Sequence, residues 1–222
     1  MTETVSATPQ GASPDSAEAR QIRESDSGLV LQQVVQPGVG AAIWRRRLSP
    51  GFAEWIEGIP PDQMPALRAL VDFRAVENCI HAACDISGLP GGTMRDILAS
   101  DIGALALMLA QIMQNPLMHI RFEMVTTDAC RKFHIDQMPA RLLCTYRGLG
   151  TQFGLEDETG EIIPAGEMSA GEAAILRGAL WPGMEATRLL HRSPPISGTG
   201  QVRLFLALAS ASRSVPDKRR LH

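Results

Sequence analysis

The periodicity of this chain changes at Asn115-Pro116. Upstream, residues 93–114 place Met94, Ile97, Leu98, Ile102, Leu105, Met108, Leu109 and Ile112 at spacings of three and four, a single apolar stripe along a helix. Asn115-Pro116 ends it, because the residue before a proline disfavours helical backbone. Downstream, residues 119–125, 131–136, 141–147, 173–177, 189–191 and 202–208 read as short strands. Turn signals separate them at Arg147-Gly148-Leu149-Gly150, Thr159-Gly160, Trp181-Pro182-Gly183, Pro194-Pro195 and Gly198-Thr199-Gly200. A helical half followed by many short strands predicts an α+β fold with helices covering one face of an all-β core. Closed barrels and jelly rolls bury such strands. The expected architecture is therefore a double-stranded β-helix (jelly roll) preceded and covered by N-terminal helices.

The first half supplies the remaining elements. Residues 1–27 are rich in Ser, Thr, Glu, Asp, Pro and Gly, without apolar periodicity, and are expected to be a disordered tail. Leu29-Val30-Leu31 with Val34-Val35 predicts a first strand, and residues 41–44 a second. Ser49-Pro50 reads as an N-cap with proline at the first helical position, leading into Phe52, Trp55 and Ile56. Residues 74–86 carry Val76, Ile80 and Ala83 on one helical face. One domain over residues 28–210 and a C-terminal tail over 211–222 complete the expected organisation, and no internal repeat is present.

Charge and cysteine usage exclude several classes. A formal charge of −3 gives no electrostatic case for nucleic-acid or anionic-membrane binding, and Lys218-Arg219-Arg220 is too short a run to change that. No charged start followed by an apolar run marks a signal peptide, and the uncharged apolar stretch 102–113 is too short to cross a bilayer. Four cysteines without a secretion signal predict reduced thiols in a cytoplasmic protein.

The chemistry concentrates at Phe133-His134-Ile135-Asp136. Side chains alternate along a strand, so His134 and Asp136 are expected on one face with Cα atoms roughly 6.5 Å apart, close enough to reach one ion. A third ligand must come from elsewhere. His81 lies mid-helix and His222 is the last residue, whereas His191 ends a predicted strand before Pro194-Pro195. Two histidines and a carboxylate on one side of a metal leave open positions, the arrangement favoured by non-haem iron(II). The same His-x-Asp also has a plain reading, a hydrogen-bonded core histidine and an aspartate starting a turn.

Arg203 lies twelve positions after His191. In a flat hairpin the two are cross-strand neighbours; in a jelly roll they lie in opposite sheets facing each other across the interior. Either geometry brings a guanidinium near the metal, where its planar fork suits a carboxylate. Otherwise Arg203 is an ordinary surface residue. Arg141 holds a cosubstrate, binds an acidic substrate or supports Asp136; in a metal-free site it pairs with Asp136 alone. Tyr146 has the opposite strand parity to Arg141, so the two are not expected to line one pocket. Cys79 and Cys84 point apart on a helix and read as small buried thiols. Cys130 shares strand parity with His134 and is a candidate extra ligand.

Two resemblances add to these observations. Residues 130–136, 141–151, Leu176-Arg177-Gly178 with Trp181-Pro182-Gly183, and His191-Arg192-Ser193-Pro194-Pro195-Ile196 with Gly198-Thr199-Gly200 resemble the bacterial family called domain of unknown function 1826. That likeness covers roughly residues 30–210 and implies no activity. More loosely, His134, Asp136, His191 and Arg203 are similar to the His-x-Asp, distal His and following Arg of iron(II)/2-oxoglutarate dioxygenases. This second resemblance implies iron bound by the first three residues and 2-oxoglutarate anchored by Arg203. Many members carry Arg-x-Ser where this chain reads Arg203-Leu204-Phe205, and the gap from His191 to Arg203 is long.

Three functions follow as expectations. The first is an iron(II)/2-oxoglutarate oxygenase acting on an unidentified small-molecule or protein substrate. The second is a cupin-like zinc-binding protein in metal handling or sensing, without redox catalysis. The third is a metal-free jelly roll binding a partner or small molecule through Arg141 and Arg203. Residues 154–171 are expected to be a lid or a long loop over the pocket.

Overall fold

A computed structural model describes residues 18–211 of the chain. Its elements run β1 (Glu18–Ala19), β2 (Gln21–Ser25), β3 (Val39–Trp44), α1 (Pro50–Glu57), β4 (Leu67–Asp72), α2 (Val76–Ile86) and α3 (Thr93–Met113). They continue with β5 (Leu117–Val125), β6 (Ala140–Arg147), β7 (Gln152–Glu156), β8 (Ile162–Glu167), β9 (Ala173–Arg177), β10 (Ala186–Thr187), β11 (Leu189–Arg192) and β12 (Arg203–Ser210). The fold is mixed α+β. A seven-stranded sheet has the order β2-β3-β9-β6-β12-β5-β4, a three-stranded sheet the order β11-β7-β8, and β1 pairs with β10.

Strand parity divides the large sheet into two faces. On one, Leu142, Cys144 and Tyr146 of β6 and Leu204, Leu206 and Leu208 of β12 pack against Leu98, Ile102, Leu105 and Leu109 of α3. On the other, Leu143, Ala174, Leu176 and Ala207 meet Phe153 and Leu189 of the small sheet. Each fully buried Leu, Ile or Phe contributes about 1.5–3 kcal/mol, so these two layers hold the sheets in register. A polar tie joins helix to sheet. Asp101 of α3 accepts from both guanidinium nitrogens of Arg46, at 2.5 and 2.8 Å, and from the Tyr146 hydroxyl at 2.5 Å.

Counted from Thr93, α3 is long and apolar enough to span a membrane, more so than residues 102–113 alone imply. In this fold its buried side, Leu98, Ala99, Ile102, Leu105, Ala106 and Leu109, lies on the sheet.

Several expectations are corrected. Residues 28–35 form a 3-10 helix, not a strand. Ser27 caps it by accepting from the Leu29 amide, and Val30, Leu31 and Val34 are buried at helical spacing. Within the tail expected over residues 1–27, β1 begins at Glu18 and β2 at Gln21; residues 1–17 and 212–222 lie outside the described residues. The segment 154–171 is mostly the β7–β8 hairpin rather than a loop. Its turn is built by Asp157, whose carboxylate accepts from the Thr159 and Glu161 amides. Residues 67–72, not anticipated as a strand, form the edge strand β4.

Candidate metal centre

His134 is not in a continuous strand. Residues 131–136 are irregular apart from one antiparallel bridge, in which the His134 and His191 amides each donate to the other's carbonyl at 3.0 Å. The expected strand fails because its neighbours bond elsewhere. The Asp136 carbonyl accepts from the Ala179 amide, the Met138 carbonyl from Leu180, and the Pro139 carbonyl from Gly178. Pro139 has no N–H to continue a ladder. Gly178 is required for this approach, because a Cβ there would lie 1.9 Å from the Met138 oxygen.

The segment nevertheless assembles the three side chains expected of it. One ligand atom from each of His134, Asp136 and His191 lies within 4.8 Å of the other two. His134 Nε2 is 3.6 Å from Asp136 Oδ1, and His191 Nε2 is 3.3 Å from Asp136 Oδ2. The two imidazole centroids are 4.5 Å apart. The Lys132 carbonyl sits 2.8 Å from His134 Nδ1, which orients the ring with Nε2 toward Asp136. Arg141 on β6 forms an ion pair with Asp136, its terminal nitrogen 2.9 Å from Oδ1.

The donor set fits a divalent cation. Asp136 and His191 are buried, and Asp136 Oδ2 has no hydrogen-bond partner although His191 Nε2 is near, because the approach is poorly aligned. An orphaned buried carboxylate oxygen is costly, and an ion between it and the imidazoles would satisfy it. Burial acts to raise the Asp136 carboxyl, but His134, His191 and Arg141 outweigh burial and hold it well below the usual carboxylate range. Its bond to Asp136 raises the His134 imidazole above its ordinary value.

Arg203 lies in the large sheet and His191 in the small one, so the opposite-sheet arrangement is the one observed. Arg203 is 1% exposed. Its Nε donates to the Leu149 carbonyl at 2.6 Å and a terminal nitrogen donates to Thr145 Oγ1 at 3.3 Å. Its guanidinium also lies 5.4 Å from the Phe205 ring centroid. Among the described residues it has no carboxylate within ion-pair distance, and burial pushes its pKa down to about 10. Gly148, at φ +82° in the left-handed region that favours glycine, carries the turn that presents Leu149.

One cavity is lined by His134, His191, Arg141, Arg203, Thr151 and Cys130, among others. Cys130 thus borders the site without joining the three-residue group. Tyr146 faces the helices, as its parity requires. Cys84 is buried, while Cys79 is only half-buried. The sequence reading missed Arg121, whose alternation within β5 carries it to the same cavity, and Thr145, which accepts from Arg203 without lining that cavity.

The family described as "Protein of unknown function (DUF1826)" matches residues 25–209. The chain belongs to this family. No curated protein matches it in sequence at a significant level. Among solved structures it is similar to dioxygenase for auxin oxidation 1 of Arabidopsis thaliana, solved as a 2-oxoglutarate binary complex. The TM-score is 0.55 at 12% identity, covering 87% of this chain and 92% of that one. The rice dioxygenase for auxin oxidation gives 0.52 at 12% identity, covering 87% and 83%. At such identity the likeness is one of fold, and this chain shares the fold of those two dioxygenases.

Proposed function

We propose that this protein is an oxygenase of the iron(II)/2-oxoglutarate type, built on a double-stranded β-helix with its helices on the outer face of the large sheet. One observation carries the proposal: the cavity bordered by His134 and His191 also contains Arg203, buried and without an acid partner. A charge taken from water is normally paired, and this one lines the same cavity as the two imidazoles without a carboxylate of its own. The shared fold with two dioxygenases supports the same reading.

In this account His134, Asp136 and His191 hold iron(II), which when bound would supply oxygen activation and a chelation point for a 2-oxo acid. Arg203, steadied by its hydrogen bonds to the Leu149 carbonyl and Thr145 Oγ1, receives the far carboxylate of 2-oxoglutarate. Arg141 holds Asp136 ionised and fixes its orientation.

The zinc-handling reading uses the same three ligands, since two imidazoles and a carboxylate suit zinc as well. It leaves Arg203 buried without a counter-anion, which favours the oxygenase. A metal-free site is favoured by the Arg141–Asp136 ion pair alone and leaves Asp136 Oδ2 orphaned.

The test is consumption of 2-oxoglutarate with release of carbon dioxide and succinate by the iron(II)-loaded protein in air. Turnover by the wild type that vanishes in His134→Ala supports the proposal. Equal turnover by both proteins contradicts it.

A further inference from the structure

Beside the metal cavity the large sheet carries a second, wider depression. It is lined by Arg68 and Leu70 of β4, His119 and Arg121 of β5, Arg141 of β6 and Ala209 of β12, and its volume is about 440 Å³. That lies within the roughly 300–1,000 Å³ typical of small-molecule sites. The small sheet packs over β3, β6, β9 and β12, and the same face of β4 and β5 contributes nothing to that contact. The depression is therefore the uncovered end of the face that holds Arg203.

We propose that this groove receives the primary substrate and that the substrate is an organic acid, with an apolar body on the alanine floor and its carboxylate between Arg121 and Arg141. The proposal rests on the oxygenase reading and adds its substrate class.

Three features support it. First, the groove adjoins the metal cavity, with Arg121 and Arg141 lining both. A molecule held there by one end can present the other to the metal. Second, the charge is complementary to an anion. Three guanidiniums, Arg68, Arg121 and Arg141, face two carboxylates, Glu123 and Asp136. Glu123 is shared by Arg68 and Arg121, Asp136 belongs to the metal group, and Arg141 Nε is buried with no partner. His119 adds a further donor at the rim. Third, the floor is kept open by small side chains. Ala209 stands opposite His119 on β5 and Arg141 on β6, and Ala207 lies two residues along. Leu70, 56% exposed, and Met138 give the groove an apolar wall.

The experiment uses the full chain with zinc(II) and saturating 2-oxoglutarate, so that the inner cavity is taken. Benzoate, phenylacetate and hexanoate are titrated against benzamide, phenylacetamide and hexanamide by ligand-observed NMR. At least one acid should bind about tenfold or more tighter than its amide, the effect of a charge-assisted contact. Ala209→Trp should abolish acid binding by filling the floor. Arg121→Gln, which leaves the floor intact, should reduce the preference to about threefold or less. Equal binding of every acid and amide, or a preference that survives in both variants, overturns the proposal. The two readings fail separately. Acid preference in a protein that shows no iron–2-oxoglutarate charge-transfer band removes the oxygenase and keeps the acid groove. A band without acid preference removes the groove alone.

Discussion

His134 and His191 exchange both backbone hydrogen bonds, each 3.0 Å, and carry their imidazoles with centroids 4.5 Å apart. Two residues 57 positions apart in sequence are thereby fixed to one another before any ion binds. The bridge lies between a strand of the small sheet and a segment that is otherwise irregular, so the His134–Asp136–His191 group depends on the contacts that hold residues 136–139 in place.

Those contacts make Gly178 a remote control on the site. Gly178→Ala puts a Cβ 1.9 Å from the Met138 carbonyl oxygen and 2.8 Å from that of Asp136, so the segment must shift. The expected outcome is metal affinity reduced by about 10–100-fold, comparable to losing an outer partner of a ligand. Titration with iron(II) or zinc(II) measures it; unchanged affinity would mean that the segment yields without moving Asp136.

Protonation should separate the apo and metal-bound proteins. The folded-state pKa of His134 is raised above 6.5 by Asp136, so the charged pair stabilises the apo-protein below that value. This contribution is lost as pH rises through the raised pKa. Metal needs the neutral imidazole, so its affinity should rise over the same interval, with a proton released on binding. Melting between pH 6 and 8 should show the His134 contribution to apo-protein stability falling while the shift caused by metal grows. Parallel curves would contradict this.

Arg203→Met should divide stability from function. The substitution removes a buried charge that has no acid partner, and apolar replacement of buried charge is commonly neutral or stabilising. The expected apo-protein stability is within about 1 kcal/mol of wild type or above it, set against a loss of about tenfold or more in 2-oxoglutarate affinity. Urea denaturation and cosubstrate titration read the two effects. A large destabilisation with affinity retained would make Arg203 a structural residue.

Asp101→Asn should act on the fold and spare the site. It weakens the acceptor for Arg46 and Tyr146 that ties α3 to β6. Breaking a fully buried pair costs about 3–5 kcal/mol, and the partial exposure here reduces the expectation to roughly 2 kcal/mol. A lower urea midpoint with metal affinity unchanged is the expected result.

Much of the architecture was legible because it follows from short-range pattern. The stripe from Met94 to Ile112 set α3, and alternation set β5, β6, β9 and β12. Residues 28–35 misled because Val-rich composition was read as strand, whereas burial of Val30, Leu31 and Val34 follows helical spacing. The three side chains lie together, but for a reason only partly anticipated. The spacing of His134 and Asp136 does bring them together, but through loop contacts to residues 178–180 and not through strand geometry. No local pattern announces those contacts, since they join segments some 40 residues apart. Arg203 was recognisable as a candidate, while its burial without a carboxylate is a tertiary property. The groove was out of reach because β4 was not recognised as a strand, and so its neighbours on β5 had no visible partner.

The central claim is that His134, Asp136, His191 and Arg203 together hold iron(II) and 2-oxoglutarate. Anaerobic addition of iron(II) and then 2-oxoglutarate to the apo-protein, followed by visible absorption, tests it most directly. The expected result is a metal-to-ligand charge-transfer band in the wild type, absent in His191→Ala and needing more 2-oxoglutarate in Arg203→Met. Tight metal binding with no band at any 2-oxoglutarate concentration, or a band that persists in His191→Ala, would contradict the account.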